Sequence, residues 1–396
     1  MNDIWKTYKL GDIGTIVGGA TPSTFIDKYY GGNIPWLTPK DLSNFHERYI
    51  TQGERNITQE GLESCSAQLL PQNTILFSSR APIGYVAIAK NPVATNQGFK
   101  SVIPNEKIVS YLFLYYLLVY NKNRIEAVGS GTTFKEVSAS TMRNIPISLP
   151  PLETQKRIAD ILSAIDDKIE LNRRITTNLE QQAQALYKSW FVDFEPFGGK
   201  MPEDWRVGTI SNIVDLLNGF AFKSSDFVEK GLYKLITIKG VQDGNMSLDG
   251  ADCLDIIPPK MPQWCKLKKE DILLSLTGNV GRCCLVDTEN CLLNQRVAKL
   301  HPKEEYNRLF VYALFRQEDM KARMISIARG TAQMNLSPIE TGKLPLIIPS
   351  NEVLKDFGNR FNNIIHTLTN NIVESSYLAQ LRDTLLPKLM SGETKV

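Results

Sequence analysis

The sequence of 396 residues repeats itself at a spacing of about half its length, so the chain must adopt a fold that can be duplicated in tandem. Trp5 returns as Trp205 and Gly19 returns as Gly219, both 200 residues later. Further pairs have shifts of 197 to 199 residues: Ile75-Leu76 with Ile272-Leu273, Asn96-Gln97 with Asn294-Gln295, and Gly131-Thr132 with Gly330-Thr331. Two similar modules can present two sites related by a pseudo-two-fold axis, and duplex DNA is a ligand that runs in two directions.

Composition predicts two ordinary globular cores, because 42% of the residues are apolar and 22% are charged. The net charge of +3 neither requires nor excludes a nucleic-acid partner, since such binding depends on a local basic surface. If DNA is bound, we expect a partner chain to supply much of the phosphate neutralisation. The N-terminus lacks a charged segment followed by an apolar run, and the longest apolar stretch is about half of a membrane span. A cytoplasmic protein without a membrane partner is therefore expected.

The six cysteines do not form a shared framework, because five lie in the second module and only Cys65 lies in the first. No CxxC pair occurs, and the adjacent residues Cys283 and Cys284 are poorly spaced to chelate a metal. We expect no metal site in this chain.

Each module combines short strand-like segments with one helical stretch, near Ile108 to Asn123 and near Tyr306 to Met320, which predicts an α+β fold. A long helix follows each module, the first from about Glu153 to Phe194 and the second from about Asn351 to Leu386. Apolar residues at alternating steps of four and three predict a heptad seam on both helices.

The simplest way to bury both seams is an antiparallel coiled coil, with one globular module at each end. The predicted seam residues are Leu162, Ile165, Ile169 and Asn172 in the first helix, and Phe361, Ile364, Leu368 and Asn371 in the second. The two asparagines either fix the register of the helices or are tolerated polar positions. The predicted segments are residues 1–150 and 197–348 for the modules, and 151–196 and 349–396 for the helices.

The sequence lacks the motifs of a DNA-modifying enzyme. It has no GxxxxGK[ST] loop for ATP, and neither of its double prolines has the flanking residues of an amino-methyltransferase motif. The histidines His46, His301 and His366 belong to no repeated Ser/His/Asp arrangement. A duplicated enzyme would be expected to duplicate its catalytic residues, so we predict no catalytic site.

The candidates for DNA contacts are polar residues of the repeated loops, together with further basic residues, each of which is more often a solvated surface charge. Asn and Gln side chains can bond adenine edges in the major groove, although they equally cap turns. Glycine-bearing loops before the last strand suit phosphate contacts, with plain turn chemistry as the alternative. The candidates are Lys40, Arg48, Arg55, Ser79, Arg80, Asn96, Gln97, Thr132, Thr133, Lys135, Lys223, Lys239, Asn279, Arg282, Asn294, Gln295, Arg296, Thr331, Gln333 and Asn335.

The most specific segments surround and follow the first long helix. They are PPLETQKRIADILSAIDDKIELNRRI from Pro150 to Ile175, ALYKSWFVDFEP from Ala185 to Pro196, and LRDTLLPKLMSGE from Leu381 to Glu393. Together with GSGTTFKEVS from Gly129 to Ser138, they resemble the specificity subunit of type I restriction-modification systems over the whole chain. One departure is that the second helix begins with SNEVLKDF, without Pro-Pro or the Gln-Lys-Arg run, so two partner surfaces of unequal strength are expected.

The resemblance implies that each module is a target recognition domain for one half of a bipartite double-stranded DNA site, and that the helices set the spacing. It implies that this chain has no catalysis or cofactor of its own. Two methyltransferase subunits would dock on it with S-adenosylmethionine, and restriction subunits would use ATP and Mg. Trp190, Phe191 and Phe194 are candidates for methyltransferase docking, with packing against the recognition domain as the alternative.

Two other functions stay open at this point. A self-contained DNA methyltransferase would bind S-adenosylmethionine by itself, and the missing motifs argue against it. A coiled-coil scaffold whose modules bind protein would lack the strong salt dependence of duplex binding.

Overall fold

The chain divides into two compact units. Unit 1 comprises Met1–Glu170 and Leu378–Val396, and unit 2 comprises Leu171–Tyr377. This division runs through both long helices, whereas the four segments expected from the sequence kept each helix whole; those boundaries stay a prediction. The structure is a computed structural model that describes residues 5–130, 135–330 and 334–396.

The described residues of unit 1 form three sheets. In chain order its elements are β1 Lys6–Lys9, α1 Leu10–Ile13, β2 Gly14–Gly18, β3 Tyr30–Leu37, β4 Tyr49–Ile50, β5 Arg55–Ile57, α2 Gln59–Glu63, β6 Ile75–Ser79, β7 Ile83–Ala89, β8 Ala94–Thr95, β9 Lys100–Pro104, α3 Tyr111–Tyr120, α4 Lys122–Ala127, α5 Ala139–Arg143, β10 Pro146–Leu149 and the first part of α6 Leu152–Phe191. The strand orders are β2-β9-β6-β7-β4, β5-β3-β8 and β1-β10. Every residue of the central strand β6 is buried, both the apolar run Ile75-Leu76-Phe77 and the two serines that follow it.

The part of unit 2 that the structure describes also forms three sheets. Its elements are β11 Arg206–Thr209, β12 Val214–Asn218, β13 Tyr233–Ile236, β14 Cys253–Leu254, β15 Ile272–Ser275, β16 Cys283–Leu285, β17 Cys291–Leu293, β18 Val297–Pro302, α7 Arg308–Phe315, α8 Glu318–Ile327, α9 Pro338–Gly342, β19 Pro345–Ile348, α10 Asn351–Phe361 and α11 Asn363–Met390, which continues into unit 1. The strand orders are β12-β18-β15-β16, β14-β13-β17 and β11-β19.

The two units share one strand topology. The order β2-β9-β6-β7 corresponds to β12-β18-β15-β16, and β1-β10 corresponds to β11-β19. The order β5-β3-β8 corresponds to β14-β13-β17, and one parallel pair occurs in each, β3 with β8 and β13 with β17. Among the strands of the described ranges, only the two-residue strand β4 has no counterpart. The α+β fold in two pseudo-symmetric modules is therefore confirmed.

The first long helix, α6, follows the predicted heptad pattern over 40 residues, or about 60 Å. Its first turn is tied to the segment before α3 by the buried side chain of Gln155. That amide accepts from the N–H of Ser110 at 3.1 Å and donates to the carbonyl of Ile108 at 3.1 Å. The helix ends at Phe191, three residues earlier than expected, because the chain reaches a left-handed conformation at Phe194 (φ 54°).

The second long helix is interrupted, which the sequence pattern did not predict. α10 ends at Phe361 and α11 begins at Asn363. The side chain of Asn362, between them, donates to the carbonyl of Tyr306 at 3.2 Å and accepts from the N–H of Leu309 at 3.0 Å. These bonds fix the break against the start of α7. α11 then continues to Met390, four residues beyond the expected end.

Within each unit the long helices pair in antiparallel fashion. In unit 1, Asp166 of α6 bonds Arg382 of α11 at 2.8 Å, while Leu162 and Leu386 share one core. In unit 2, Asn172 donates to Glu374 at 2.7 Å. As the residue number increases along α6, the number of the residue paired with it on the second helix decreases, so the antiparallel coiled coil is confirmed. The seam residues Leu162, Ile169, Asn172, Ile364 and Leu368 are buried, whereas Ile165, Phe361 and Asn371 are half-buried.

Candidate nucleic-acid interface

An Asn-Gln turn is held against a glycine in the same way in both units. A Cβ atom on Gly19 would lie 2.3 Å from the carbonyl oxygen of Asn96, and one on Gly219 would lie 2.1 Å from that of Asn294. No side chain fits in either gap, so the glycine lets two backbone segments approach closely. This contact explains why the glycine and the turn recur together in the repeat.

The same turns are anchored to the end of a second strand. The turn asparagines donate their N–H groups to the carbonyl of Leu37 in unit 1, at 2.9 Å, and to that of Ile236 in unit 2, at 3.1 Å. Three residues beyond these carbonyls lie the predicted contacts Lys40 and Lys239, both exposed. The structure therefore places the two lysines at equivalent positions beside the turns, a match that sequence comparison had not made.

A buried serine shapes the loop that faces each turn. Ser78 donates to the carbonyl of Pro82 at 2.8 Å, and Ser275 donates to that of Asn279 at 2.5 Å. Each serine oxygen also accepts from the N–H group seven residues later, at 2.8 and 3.0 Å. The loops after β6 and β15 therefore have matching internal bonds, and they present Arg80 in unit 1 and Thr277 in unit 2.

A third segment pairs with these loops. Glu136 forms an antiparallel bridge with Arg80, and Asn335 forms one with Thr277. We call the resulting arrangement the paired-loop site. In unit 1 it consists of Arg80, Asn96, Gln97, Lys100 and Glu136, and in unit 2 of Thr277, Asn294, Gln295, Arg296 and Asn335.

The paired-loop site of unit 1 carries three charges. Arg80 Nη1 lies 3.5 Å from Glu136 Oε2, and Lys100 Nζ lies 3.2 Å from Glu136 Oε1. Lys100 is nearly covered, with 13% of its side chain exposed, whereas Arg80 and Glu136 are half-exposed. One carboxylate between two cations leaves a local charge of +1, and the solvent-facing part of the pair presents both donors and acceptors.

The paired-loop site of unit 2 is a cleft of about 350 Å³ lined by Leu276, Thr277, Gln295, Arg296 and Asn335. The last three were predicted as DNA contacts from the sequence, and the fold brings them together. Thr277 is only 5% exposed, and its hydroxyl oxygen has no hydrogen-bond partner among the described residues.

Thr132, Thr133, Thr331 and Gln333 lie outside the described residues. Lys135 is described, and it is exposed next to Glu136.

Two predicted contacts are structural instead. Only 4% of the Arg48 side chain is exposed, and it pairs with Asp167 and, at 3.0 Å, with Glu170 of α6. Burial alone would lower the pKa of Arg48, but hydrogen bonds to Glu170 and Asp167 raise it overall. Ser79 is fully buried and donates to the carbonyl of Gly98 at 3.1 Å. Neither side chain is available to a phosphate.

The remaining candidates are scattered. Asn279 is exposed on the loop after β15, and Arg282 donates to Gln242 at 2.6 Å. Arg55 and Lys223 are exposed, but within the described part of the chain no hydrogen bond or ion pair joins them to a paired-loop site.

The family model for the type I restriction modification DNA specificity domain matches residues 2–181 and again residues 202–374. The chain belongs to this specificity family. The two matches follow the two halves of the repeat, so the resemblance noted from the sequence is confirmed.

Specificity subunits of known restriction enzymes are similar over nearly the whole chain. The specificity subunit of the type I restriction enzyme MjaIX from Methanocaldococcus jannaschii is 33% identical, over 99% of this chain and 94% of that protein. The HindI specificity subunit from Haemophilus influenzae is 24% identical over 98% and 99% of the two chains. The crystal structure of a type I restriction-modification S subunit from M. genitalium matches with a TM-score of 0.63 at 18% identity, covering 98% and 96%, and so shares the fold.

In this member of the specificity family, the aromatic residues at the end of α6 are packed inside unit 2. Phe191 is buried, with ring centroids 4.8 Å from those of Phe310 and Phe357. Trp190 lies 5.3 Å from Phe357, and Phe194 lies 5.6 Å from Trp205. The packing alternative therefore holds for Phe191, which has no surface left for a partner.

The remaining expectations from the sequence concern metal ligands, cysteines and membrane-spanning helices. In the ranges that the structure describes, no three His, Cys, Asp or Glu side chains are grouped as metal ligands. All six cysteines are free thiols, and five of them are buried in unit 2. No described helix is long and apolar enough to cross a bilayer.

Sequence reasoning missed three residues of the paired-loop sites, Lys100, Glu136 and Thr277. The repeat contained a signal for two of them: Glu136 lies 199 residues before Asn335, and Thr277 lies 197 residues after Arg80. Lys100 is the first residue of β9, and the pairing of β9 with β2 brings it to the site. Composition does not reveal this pairing.

Proposed function

We propose that this chain reads a bipartite duplex sequence, with each unit contacting one half through its paired-loop site. The observation that carries the proposal is that the same site is built twice, on equivalent strand ends. A duplicated polar site suits a ligand with two antiparallel strands. Exposed amides and cations supply the side-chain types that bond base edges and phosphates.

We propose that the paired long helices fix the distance between the half-sites. Seven-residue periodicity makes both helices stiff and keeps their register defined. The polar contact between Asn172 and Glu374 supports a register-setting role, since it is satisfied only when these positions face each other. Two units that each bind weakly, held at a fixed distance, bind together with high affinity when the spacing between the two DNA half-sites matches that distance.

We propose that the chain serves two methyltransferase subunits and the restriction subunits of a complex, and has no catalytic step of its own. S-adenosylmethionine, ATP and Mg would then be bound by those partners. The names of the relatives as specificity subunits of type I restriction enzymes support this assignment. Trp190 and Phe194, which are only partly buried, stay candidates for the methyltransferase contact.

The test is to express the chain with its methyltransferase subunit in a host without DNA methylation and to map modified adenines across the genome. One bipartite motif with a fixed gap is expected. A motif in which only one half has a specified sequence would mean that one unit recognises no bases. No motif, with duplex binding that does not weaken with salt, would favour a protein-binding scaffold. Binding of S-adenosylmethionine by the isolated chain would favour a self-contained methyltransferase.

A further inference from the structure

The two paired-loop sites have matching backbones but different charges. Three charged side chains of unit 1 are replaced by neutral ones in unit 2: Arg80 by Thr277, Lys100 by Ala298 and Glu136 by Asn335. The first and third replacements follow from the equivalent bridges Arg80 to Glu136 and Thr277 to Asn335. The second follows from strand register, because Lys100 pairs with the last residue of β2 and Ala298 with the last residue of β12.

In unit 1 the charged side chains of the paired-loop site restrict which chemical groups of the DNA can bind there. A carboxylate such as Glu136 repels phosphate, and it only accepts hydrogen bonds, so it requires a donor from the ligand. Cytosine presents its N4 amino group in the major groove, and guanine presents the N7 and O6 acceptors that a guanidinium bonds. Arg80 and Glu136 therefore offer the donor and the acceptor that a G·C pair needs.

In unit 2 the cleft has no carboxylate among its lining residues, and its polar groups are neutral except for Arg296. The amides of Gln295 and Asn335 can each accept and donate, as adenine N6 and N7 require. Thr277 lines the cleft but is only 5% exposed, so the two exposed amides are the groups that a base pair can reach. An A·T pair uses both amides.

Resting on the proposed function, we infer that the two units recognise different base pairs with equivalent sites. Unit 1 takes a G·C pair through Arg80 and Glu136. Unit 2 takes an A·T pair through Gln295 and Asn335. The half-sites therefore differ in base composition at the positions that face the paired-loop sites.

The first test exchanges the carboxylate of unit 1 for an amide of the same shape, Glu136→Gln. The complex with the methyltransferase subunits competes for duplexes that carry the mapped motif with single base-pair changes. At one position of one half-site, the preference for G·C over A·T should fall roughly tenfold to a hundredfold. The other half-site should keep its full preference, which shows that the complex is assembled.

The second test makes the opposite exchange in unit 2, Asn335→Asp. The carboxylate no longer donates to adenine N7, so the preference for A·T should fall by a similar factor at one position of the other half-site. The matched control is Glu60→Gln, which removes an exposed carboxylate paired with Lys28 on unit 1. We expect the control to change no base preference.

The outcomes separate the inference from the function on which it rests. If the parent complex methylates no bipartite motif, the proposed function fails. If the motif is bipartite but Glu136→Gln and Asn335→Asp leave every base preference unchanged, the base-pair assignment is overturned. An equal change of affinity on all duplexes, a gain for Glu136→Gln or a loss for Asn335→Asp, would also overturn it, because that result means that the residue lies near a phosphate.

Discussion

Replacing Gly19 or Gly219 with alanine should displace the Asn-Gln turn of one unit and leave the other unit intact. The added Cβ would lie 2.1 Å from the carbonyl oxygen of Thr95 in unit 1, and 2.1 Å from that of Asn294 in unit 2. Ordinary contact begins at 3.4 Å, so the backbone must move by 3.4 − 2.1, or about 1.3 Å. The clashing atoms are backbone atoms, and no flexible side chain can give way.

The free-energy cost of this movement can be estimated from the backbone hydrogen bonds around the turn. In unit 2, Phe220 donates to the carbonyl of Leu293 at 2.9 Å and accepts from the N–H of Gln295 at 3.0 Å. A shift of this size breaks or stretches both bonds. Overpacking of this kind costs about 1–3 kcal/mol, so the free energy of unfolding of the altered unit should fall by about 2 kcal/mol. Discrimination at one half-site should fall roughly tenfold.

The assay combines denaturant unfolding with methylation mapping in the methyltransferase complex. The matched control is Gly18→Ala, since a Cβ there would meet only Lys100 Cδ, at 3.9 Å. Gly19→Ala should weaken one half of the motif and Gly219→Ala the other half, while the control changes neither. Alanine at Gly19 that behaves like alanine at Gly18 would refute the close-approach argument.

Two further predictions concern buried charges. Burial raises the pKa of Asp287 to about 6, so the folded state holds the proton more tightly and loses stability as the pH rises from about 4 to 6. Asp287→Asn should therefore stabilise unit 2 by about 3 kcal/mol at pH 7.5 and by less than about 1 kcal/mol at pH 4, as measured by urea unfolding; equal effects at both pH values would contradict this. Arg48→Met should destabilise unit 1 by about 3 kcal/mol, because it leaves Glu170 without its cation, yet leave the salt dependence of duplex binding unchanged. A smaller salt slope would restore Arg48 as a phosphate contact.

Much of the fold could be predicted because the repeat and the heptads are local patterns. The shared shifts of 197 to 200 residues anticipated two modules with one strand topology. The double proline before Leu152 and the heptad steps anticipated α6. The break at Asn362 escaped prediction, because the apolar spacing continues through it. Its cause is a set of bonds to the segment before α7, which only the tertiary structure supplies.

The candidate site was predicted only in part, for a related reason. Gln295, Arg296 and Asn335 were chosen as polar residues in repeated loops, and the fold gathers them in one cleft. Arg48 was chosen as a further basic candidate, but it is neutralised by Glu170, which lies 122 residues further along the chain. A charge and its distant partner cannot be matched from composition.

The central claim is that two readers are held at a distance set by the paired helices. The most direct test inserts seven residues after Asn172 in α6 and after Val373 in α11, where the helices face each other. Seven residues preserve the heptad phase and lengthen the pair by about 10 Å, or about three base pairs of duplex. Methylation mapping should then return both half-sequences unchanged, separated by a gap about three base pairs longer. The original gap, methylated at the original efficiency, would contradict the account.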